Sequence, residues 1–329
     1  MAAKIIDGEA VAAEMNKQVS AAAAELKAAG KAPRLVAVQV GENPASKIYT
    51  NMQRKSCEAV GIEYELLDIP EDISQDDLLA KIDELNNDPK VTGLILQMPV
   101  PPQIDARKVQ VKIAPAKDVE GMHPENMGRL FYGGGVVSPC TAAAAVELLK
   151  RTVGNESELA GKEAVVVGHS EIVGKPIAMM LLESLRESPT VTVCHVATAD
   201  LAAHTRNADI VFVAAGVSQA KWRGYNRRKK AGEAVELPDL SPLIKADMLK
   251  DGAIVIDVAI NRIPKGFDET GQPLKNEKGK NAMMTVGDVD FEAAKDKLAA
   301  ITPVPGGVGP VTVAMLLTNT IACAKAMQE

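Results

Sequence analysis
The chain has 329 residues and a mass of 34.7 kDa, which at about 150 residues per domain predicts two domains. With 47% apolar and 24% charged residues it can bury a large core and is not a mostly disordered chain. A net charge of −6, a pI near 5.5 and 3% aromatics give neither the basic field nor the stacking platform of a nucleic-acid binder. The four cysteines, Cys57, Cys140, Cys194 and Cys323, form no C-x-x-C pair and are too sparse for a disulfide framework. A reducing, cytoplasmic setting is expected. The opening MAAKIIDGEAVAAEM reaches acidic residues at once and does not read as a signal peptide. The longest apolar stretch, VTVAMLLTNTIACAKAM (311–327), includes Thr318, Asn319 and Thr320 and reads as a buried helix rather than a membrane span.

In chain order, RLVAVQV (34–40) reads as a strand, ASKIYTNMQRKSCEAVG (45–61) as a helix ending at Gly61, IEYELLD (62–68) as a strand, SQDDLLAKIDELNND (74–88) as a helix and TGLILQ (92–97) as a strand. The second half repeats the rhythm. EAVVVG (163–168), TVTVCHV (190–196), ADIVFVAAG (208–216) and AIVIDVAI (253–260) are strands, IAMMLLESLRE (177–187) and DFEAAKDKLA (290–299) helices. Alternation of this kind predicts parallel sheets with crossover helices, and near-continuous valines predict strands buried on both faces. Two Pro- and Gly-rich stretches, 99–109 and 115–141, read as long functional loops. AKWRGYNRRKKAGEAVELPDLSP (220–242), with the only Trp and the basic run Arg227–Lys230, reads as a solvated surface loop.

Strand AVVVG runs into GHSEIVGKP and a helix. Gly168, Ser170 and Gly174 lie at the turn and Pro176 suits a first helical turn. Small residues let backbone approach a phosphate, and the amides of a helix start face it. The G-x-S-x-x-x-G spacing is a weak signal by itself; its place in a βαβ series makes it a dinucleotide candidate. The end of the next strand carries His195, Val196 and Ala197 rather than an acid for the ribose, leaving His169 and Lys175 as the nearest groups for a 2′-phosphate. In the first half, Tyr49 stands on a helix, Gln97 ends a strand at the ligand-bearing edge, and Lys117, Asp118 and Glu120 follow in PAKDVEG. Core packing, a capping role and a strand-end hydrogen bond are the alternatives for Tyr49, Asp118 and Gln97.

Over nearly its whole length the chain resembles the methylenetetrahydrofolate dehydrogenase/methenyltetrahydrofolate cyclohydrolase family of the bacterial FolD type. KIIDG, VGENPASKIYTNMQRKSCEAVGI, LILQMPVPP, PAKDVEGMHPENMGRL, VVVGHSEIVGKP, VGDVDF and ITPVPGGVGPVTVAMLLTNT carry the resemblance, in family order. It implies an α/β protein of two domains: an N-terminal folate domain (1–139 with 303–329) and a Rossmann-like NAD(P)-binding domain (140–302), with a cleft between them. It further implies oxidation of 5,10-methylenetetrahydrofolate with NADP, NAD being possible, then hydrolysis of the methenyl product to 10-formyltetrahydrofolate. A homodimer without nucleic-acid or membrane partners completes the expectation. Carried over residue by residue, the catalytic positions are Tyr49, Gln53, Gln97 and Glu120. Substrate is assigned to Tyr49, Gln97, Pro99, Asp118, Glu120, Gly306, Gly307 and Pro310. The cofactor is assigned to Gly168, His169, Ser170, Ile172, Val173, Gly174, Lys175, Pro176, His195, Ala215, Gly216 and Ile260.

The chain departs from the family pattern Y-x-x-x-K-x-K: position 53, one helical turn beyond Tyr49, is Gln. Glutamine cannot titrate, so the hydrolytic step is in question and a monofunctional dehydrogenase is the alternative. A non-catalytic folate- or nucleotide-binding homologue is the other. The pterin-binding Asp of the family is Glu120 here, and segment 220–242 is longer than the family pattern.

Overall fold
In the computed structural model, residues 3–41 and 44–327 are described, apart from the side chains of 44–49. The elements are β1 (Lys4–Ile5), α1 (Gly8–Ala28), β2 (Arg34–Val40), α2 (Pro44–Val60), β3 (Glu63–Ile69), α3 (Gln75–Asn87), β4 (Gly93–Leu96), α4 (Ala106–Lys112), α5 (Pro124–Phe131), α6 (Cys140–Val153) and β5 (Glu163–Val167). There follow α7 (Gly174–Leu181), β6 (Thr190–Cys194), α8 (Leu201–Thr205), β7 (Ile210–Val213), α9 (Val217–Lys230), β8 (Ile254–Asp257), β9 (Asn261–Pro264), β10 (Met283–Val286), α10 (Phe291–Ala294), β11 (Ala300–Ile301) and α11 (Val308–Ala326).

The chain divides into two units, each with its own parallel sheet. One runs from Ala10 to Ala143 and resumes at Pro310. Its sheet has the order β3-β2-β4. Because side chains alternate along a strand, β2 feeds two cores. Leu35 and Ala37 pack with Val19, Ala23 and Leu26 of α1 and Leu316, Leu317 and Ile321 of α11. Val36 and Val38 pack with Leu78 and Ile82 of α3 and Val109 of α4. The apolar composition of α11 is accounted for by this packing.

The other unit takes the N-terminal stretch through Glu9 and Ala144–Gly309. Its six parallel strands run β1-β11-β8-β7-β5-β6, with β9 and β10 forming a separate antiparallel pair. The expected division, at residues 139 and 303, falls a few residues before these bounds and assigns the N-terminal stretch to the other domain. β1 pairs with β11 (Lys4 opposite Ala300), so the first residues join the second sheet. The chain passes between units within α1, α6 and α11.

Several local expectations are corrected. The segment read as a loop from residue 220 is helical through Lys230, because Trp222 is buried, stacks on Tyr225 at 5.4 Å and meets Phe267 at 5.7 Å. Within the two long loops, α4 is capped by Asp105, which accepts from the amides of Arg107 and Lys108. There too, α5 begins at Pro124 behind His123, whose Nδ1 accepts the Glu125 amide at 3.0 Å. The helix read over 177–187 instead spans Gly174–Leu181. Beyond it, Ser184 Oγ takes the amide of Glu187 at 3.1 Å, a local competitor to helical bonding. The helix read over 290–299 is reduced to Phe291–Ala294, with Asp290 capping Ala293.

One buried side chain ties α11 to the loops that carry Asp118 and Glu120. Asn319 Nδ2 donates to the carbonyls of Val119 (2.8 Å) and Ser138 (2.9 Å). Asn319→Ala should leave both without that donor and lower stability by about 1–3 kcal/mol, read as a lower urea midpoint at unchanged m-value.

Candidate functional site
In the first unit two of the expected residues, Gln53 and Gln97, meet beyond the carboxyl end of β4. Gln97 follows β4 directly and is buried, its amide donating to the Val38 carbonyl at 2.8 Å. Its Nε2 donates to Gln53 Oε1 at 2.8 Å. The same oxygen accepts from the Tyr64 hydroxyl at 3.4 Å. Gln53 is thus fixed through its carbonyl oxygen, and its amide nitrogen is the end it can offer a ligand. Nothing in the sequence marks Tyr64, on β3; its strand gives no sign that it faces position 53. Tyr49 belongs to α2, but its side chain lies outside the described residues. Arg54 and Lys55, the cations next to position 53, are exposed.

The 117–120 run separates into different tasks. Lys117 is buried and donates to the carbonyls of Leu85 (3.0 Å) and Asp88 (2.6 Å) at the end of α3. Burial holds its pKa below the usual range, and its role is structural. Asp118, also buried, accepts from the His123 amide (2.7 Å) and Asn126 Nδ2 (2.9 Å). Those bonds give it the loop-fixing role that was its alternative reading. Glu120 is half-buried, and burial, with Asp118 nearby, pushes its carboxyl up to about 7. Such a group exchanges protons near neutrality, which Gln53 cannot do. Pro99 is exposed and follows a cis peptide bond after Met98.

In the second unit, β5 ends on Gly168 (φ +122°), where a Cβ would lie 2.4 Å from the Ala214 carbonyl oxygen. A Cβ on Gly174 would lie 1.8 Å from the Gly168 oxygen. The smallness of Gly174 is therefore demanded by the loop's own closure, not only by an approaching dinucleotide. Ser170 holds the turn, its hydroxyl accepting the Val173 amide (3.2 Å) and its carbonyl the Lys175 amide (3.1 Å). Gly174 and Pro176 are buried at the start of α7, while His169, Ile172 and Lys175 are exposed. His169 meets His195, at the end of β6, edge to face at 4.8 Å. This loop, small at 168, 170 and 174 and entering α7 at the carboxyl edge of a parallel sheet, fits a dinucleotide phosphate.

The remaining cofactor candidates stand differently. The amides of Ala215 and Gly216 are taken by the buried Asp288 carboxylate, at 3.1 and 2.6 Å, and are not donors for a ligand. Ile260 is exposed beyond β8. Gly306 and Gly307 precede α11. A Cβ on Gly8 would lie 1.8 Å from the Gly307 oxygen, and one on Gly307 2.5 Å from the Pro303 oxygen, so backbone crowding alone requires glycine at 8 and 307. Pro310 stands in the first turn of α11. The basic end of α9 is partly engaged, Arg228 with Glu233 (2.6 Å) and Lys229 with the Tyr225 hydroxyl (3.1 Å). At 1.5 Å per residue it is also about 15 Å along the helix from the β7 end.

Residues 6–120 match the model of the tetrahydrofolate dehydrogenase/cyclohydrolase catalytic domain, and residues 139–221 and 239–328 that of the NAD(P)-binding domain of the same family. The unmatched residues 222–238 fall within the segment read as longer than the family pattern. The bifunctional protein FolD of Geotalea uraniireducens is 43% identical over 323 residues, 98% of this chain and 99% of that one. Among solved structures, the bifunctional FolD methylenetetrahydrofolate dehydrogenase/cyclohydrolase of Campylobacter jejuni superposes with a TM-score of 0.80 at 39% identity, covering 99% of both chains. A Trypanosoma brucei FolD complexed with NADP and an inhibitor gives 0.79 at 34% identity, covering 99% of this chain and 98% of that one. The polar group beside β4, the glycine loop before α7 and these full-length likenesses lead to one conclusion: the chain belongs to the tetrahydrofolate dehydrogenase/cyclohydrolase family.

Proposed function
We propose that this protein oxidises 5,10-methylenetetrahydrofolate to the methenyl form with NADP+, and that it hydrolyses the methenyl product slowly or not at all. The first half of the reading is supported by the family membership and by the loop before α7. The observation that carries the second is the state of position 53. A general acid or base is typically worth about 10² to 10⁴-fold in such a step, and Gln53 supplies a fixed amide instead.

The bound nicotinamide supplies the hydride acceptor. The chain's own part in that step is to bind and align two ligands and to exclude water, work that needs no titrating side chain. Gln97 holds Gln53 in place, Asp118 and Asn126 fix the loop that presents Glu120, and Gly168 to Pro176 form the phosphate turn. Pro99, Gly306, Gly307 and Pro310 complete the substrate assignment. Tyr49 takes its assigned place against the folate, and His169, Ile172, Val173, Lys175, His195 and Ile260 take theirs against the dinucleotide. We place the domain division at residues 139 and 303, except that β1 belongs to the second sheet. The same reading makes the protein a cytoplasmic homodimer.

The deciding experiment is a two-stage assay, methylene to methenyl and then methenyl to formyl. We expect the first activity and little of the second; Gln53→Lys should raise methenyl hydrolysis at least tenfold while changing the hydride step less. Robust hydrolysis by the unaltered protein would overturn the second half of the reading, and no methenyl formation with either dinucleotide the first.

The cofactor choice is tested in the same assay. With no acid at the end of β6 to repel a 2′-phosphate, NADP+ should be used, and the ratio of kcat/KM values between the two dinucleotides should stay within about 100-fold, or about 2.7 kcal/mol. Glu120 gives a pH test of stability. Its folded carboxyl, at about 7, lies above its ordinary value of 4.5. Across that window the native state therefore binds more protons than the unfolded one, and Glu120 makes stability fall as pH rises. Glu120→Gln should flatten the fall, measured as urea midpoints from pH 4.5 to pH 8.

A further inference from the structure
The turn after β7 is closed by a carboxylate that comes from far along the chain. Asp288 is fully buried. Its Oδ2 accepts the amides of Ala215 (3.1 Å) and Gly216 (2.6 Å), and its Oδ1 accepts the Val217 amide (3.2 Å) and Asn261 Nδ2 (2.9 Å). These are three successive amides at the start of α9, where a 14-residue helix would otherwise present donors and a partial positive charge to an anion. The carboxylate is itself held. Asp257, at the end of β8, accepts the amides of Asp288 (3.2 Å) and Val289 (2.9 Å). A Cβ on Gly287 would lie 1.8 Å from the Asp257 carboxylate, so the 287–289 backbone is pressed onto it. Asn261 closes the arrangement from β9, donating to the Gly287 carbonyl (3.0 Å) and accepting the Gln219 amide (2.8 Å).

We infer that Asp288 is a positioning residue for the dinucleotide: it gathers the three amides of the β7–α9 turn, so that this turn refuses phosphate and meets the ligand with hydrogen-bond acceptors. Two turns at the carboxyl edge of the same sheet, β5–α7 and β7–α9, lead into helix starts that would each draw an anion. At the second, the amides of 215–217 are occupied by Asp288 and that of Gln219 by Asn261, so a carboxylate already stands where an anion would sit. A phosphate is left with the first. At the second turn the Gly216 carbonyl takes the Ala220 amide (3.2 Å), and the carbonyls of Ala214 and Ala215 remain, which suit the hydroxyls of a ribose or the NH₂ of a carboxamide. The inference rests on the dinucleotide reading given above.

The test is Asp288→Asn, which keeps the shape but turns an NH₂ toward amide donors. Titration calorimetry with NADP+ and NAD+ reads dinucleotide binding without catalysis, and steady-state KM values read the dinucleotide and the folate separately. The dinucleotide Kd and KM should rise at least tenfold, with the folate KM within twofold and thermal unfolding still cooperative. A residue that served folding alone would lower the active fraction and leave both KM values unchanged. If Asp288→Asn does not fold, Asn261→Ala, which removes one of the four bonds, should show the same split at about threefold. An unchanged dinucleotide Kd in whichever variant folds, or an equal change for both ligands, overturns the inference. Failure of the unaltered protein to bind either dinucleotide would instead overturn the cofactor reading on which it rests.

Discussion
A parallel sheet delivers every strand's carboxyl end to one edge, and there the chain must enter helices whose first amides have no partner within the helix. The second unit resolves this in two ways. Before α7 the turn is built from Gly168, Ser170 and Gly174, with the Ser170 hydroxyl accepting a backbone amide of the same turn. Before α9 the amides of 215–217 are taken by Asp288. One helix start is left able to take a ligand's anion while its neighbour has its own. The buried partners of that second start explain other features of the unit. Asp257 carries a carboxyl raised to about 7 by burial first and by the adjacent Asp288, Gly287 can carry no side chain, and Thr302 at the end of β11 accepts the Asp257 amide at 2.7 Å.

The first unit meets the same constraint with longer loops. After β4 the chain has no immediate helix, and the backbone from 97 to 140 is held by side chains distant in sequence from the groups they bind. Asn86 accepts the Ala114 amide (2.9 Å), Asn126 donates to the Pro115 carbonyl (2.9 Å), and Asn319 donates to Val119 and Ser138. Lys117 spends its charge on carbonyls at the end of α3. With Lys117, Asp118 and Asn126 engaged in this way, Gln53 and Glu120, with Gln97 behind the first, are the polar groups of this set among the described residues that are less engaged with the backbone.

The sheets were legible because their signal is local: LVAV, GLIL and AVVV are unbroken apolar runs, as strands buried on both faces tend to be. The glycine loop and Gln97 were legible because each directly follows such a strand. Where an element depended on remote packing, local reading failed. The stretch 217–230 looks like a solvated basic segment until Phe267, forty-five residues beyond Trp222, is brought against that ring. β1 is two residues long and owes its place to β11, nearly three hundred residues away. Asp288 was visible only as part of VGDVDF. Nothing in the spacing between 215 and 288 announces that a carboxylate will meet three amides, so the sequence offers Ala215 and Gly216 as cofactor candidates without showing that their amides are already taken.

The departure at position 53 has its own physical logic. Gln97 can present either end of its amide to a neighbour. Facing Gln53 it donates, Nε2 to Oε1 at 2.8 Å. Facing a lysine it would have to turn and accept, since an ammonium offers donors only. The same side chain can therefore support either residue by a half-turn about its last bond, and the Tyr64 hydroxyl, both donor and acceptor, can follow by rotating its proton. The pocket is thus tolerant of the exchange in structure while the exchange is not neutral in chemistry, because one residue carries a transferable proton and the other does not. A site with that property can lose the hydrolytic step and keep the oxidative one without refolding anything around it, which is why the two activities are expected to separate here at a single side chain.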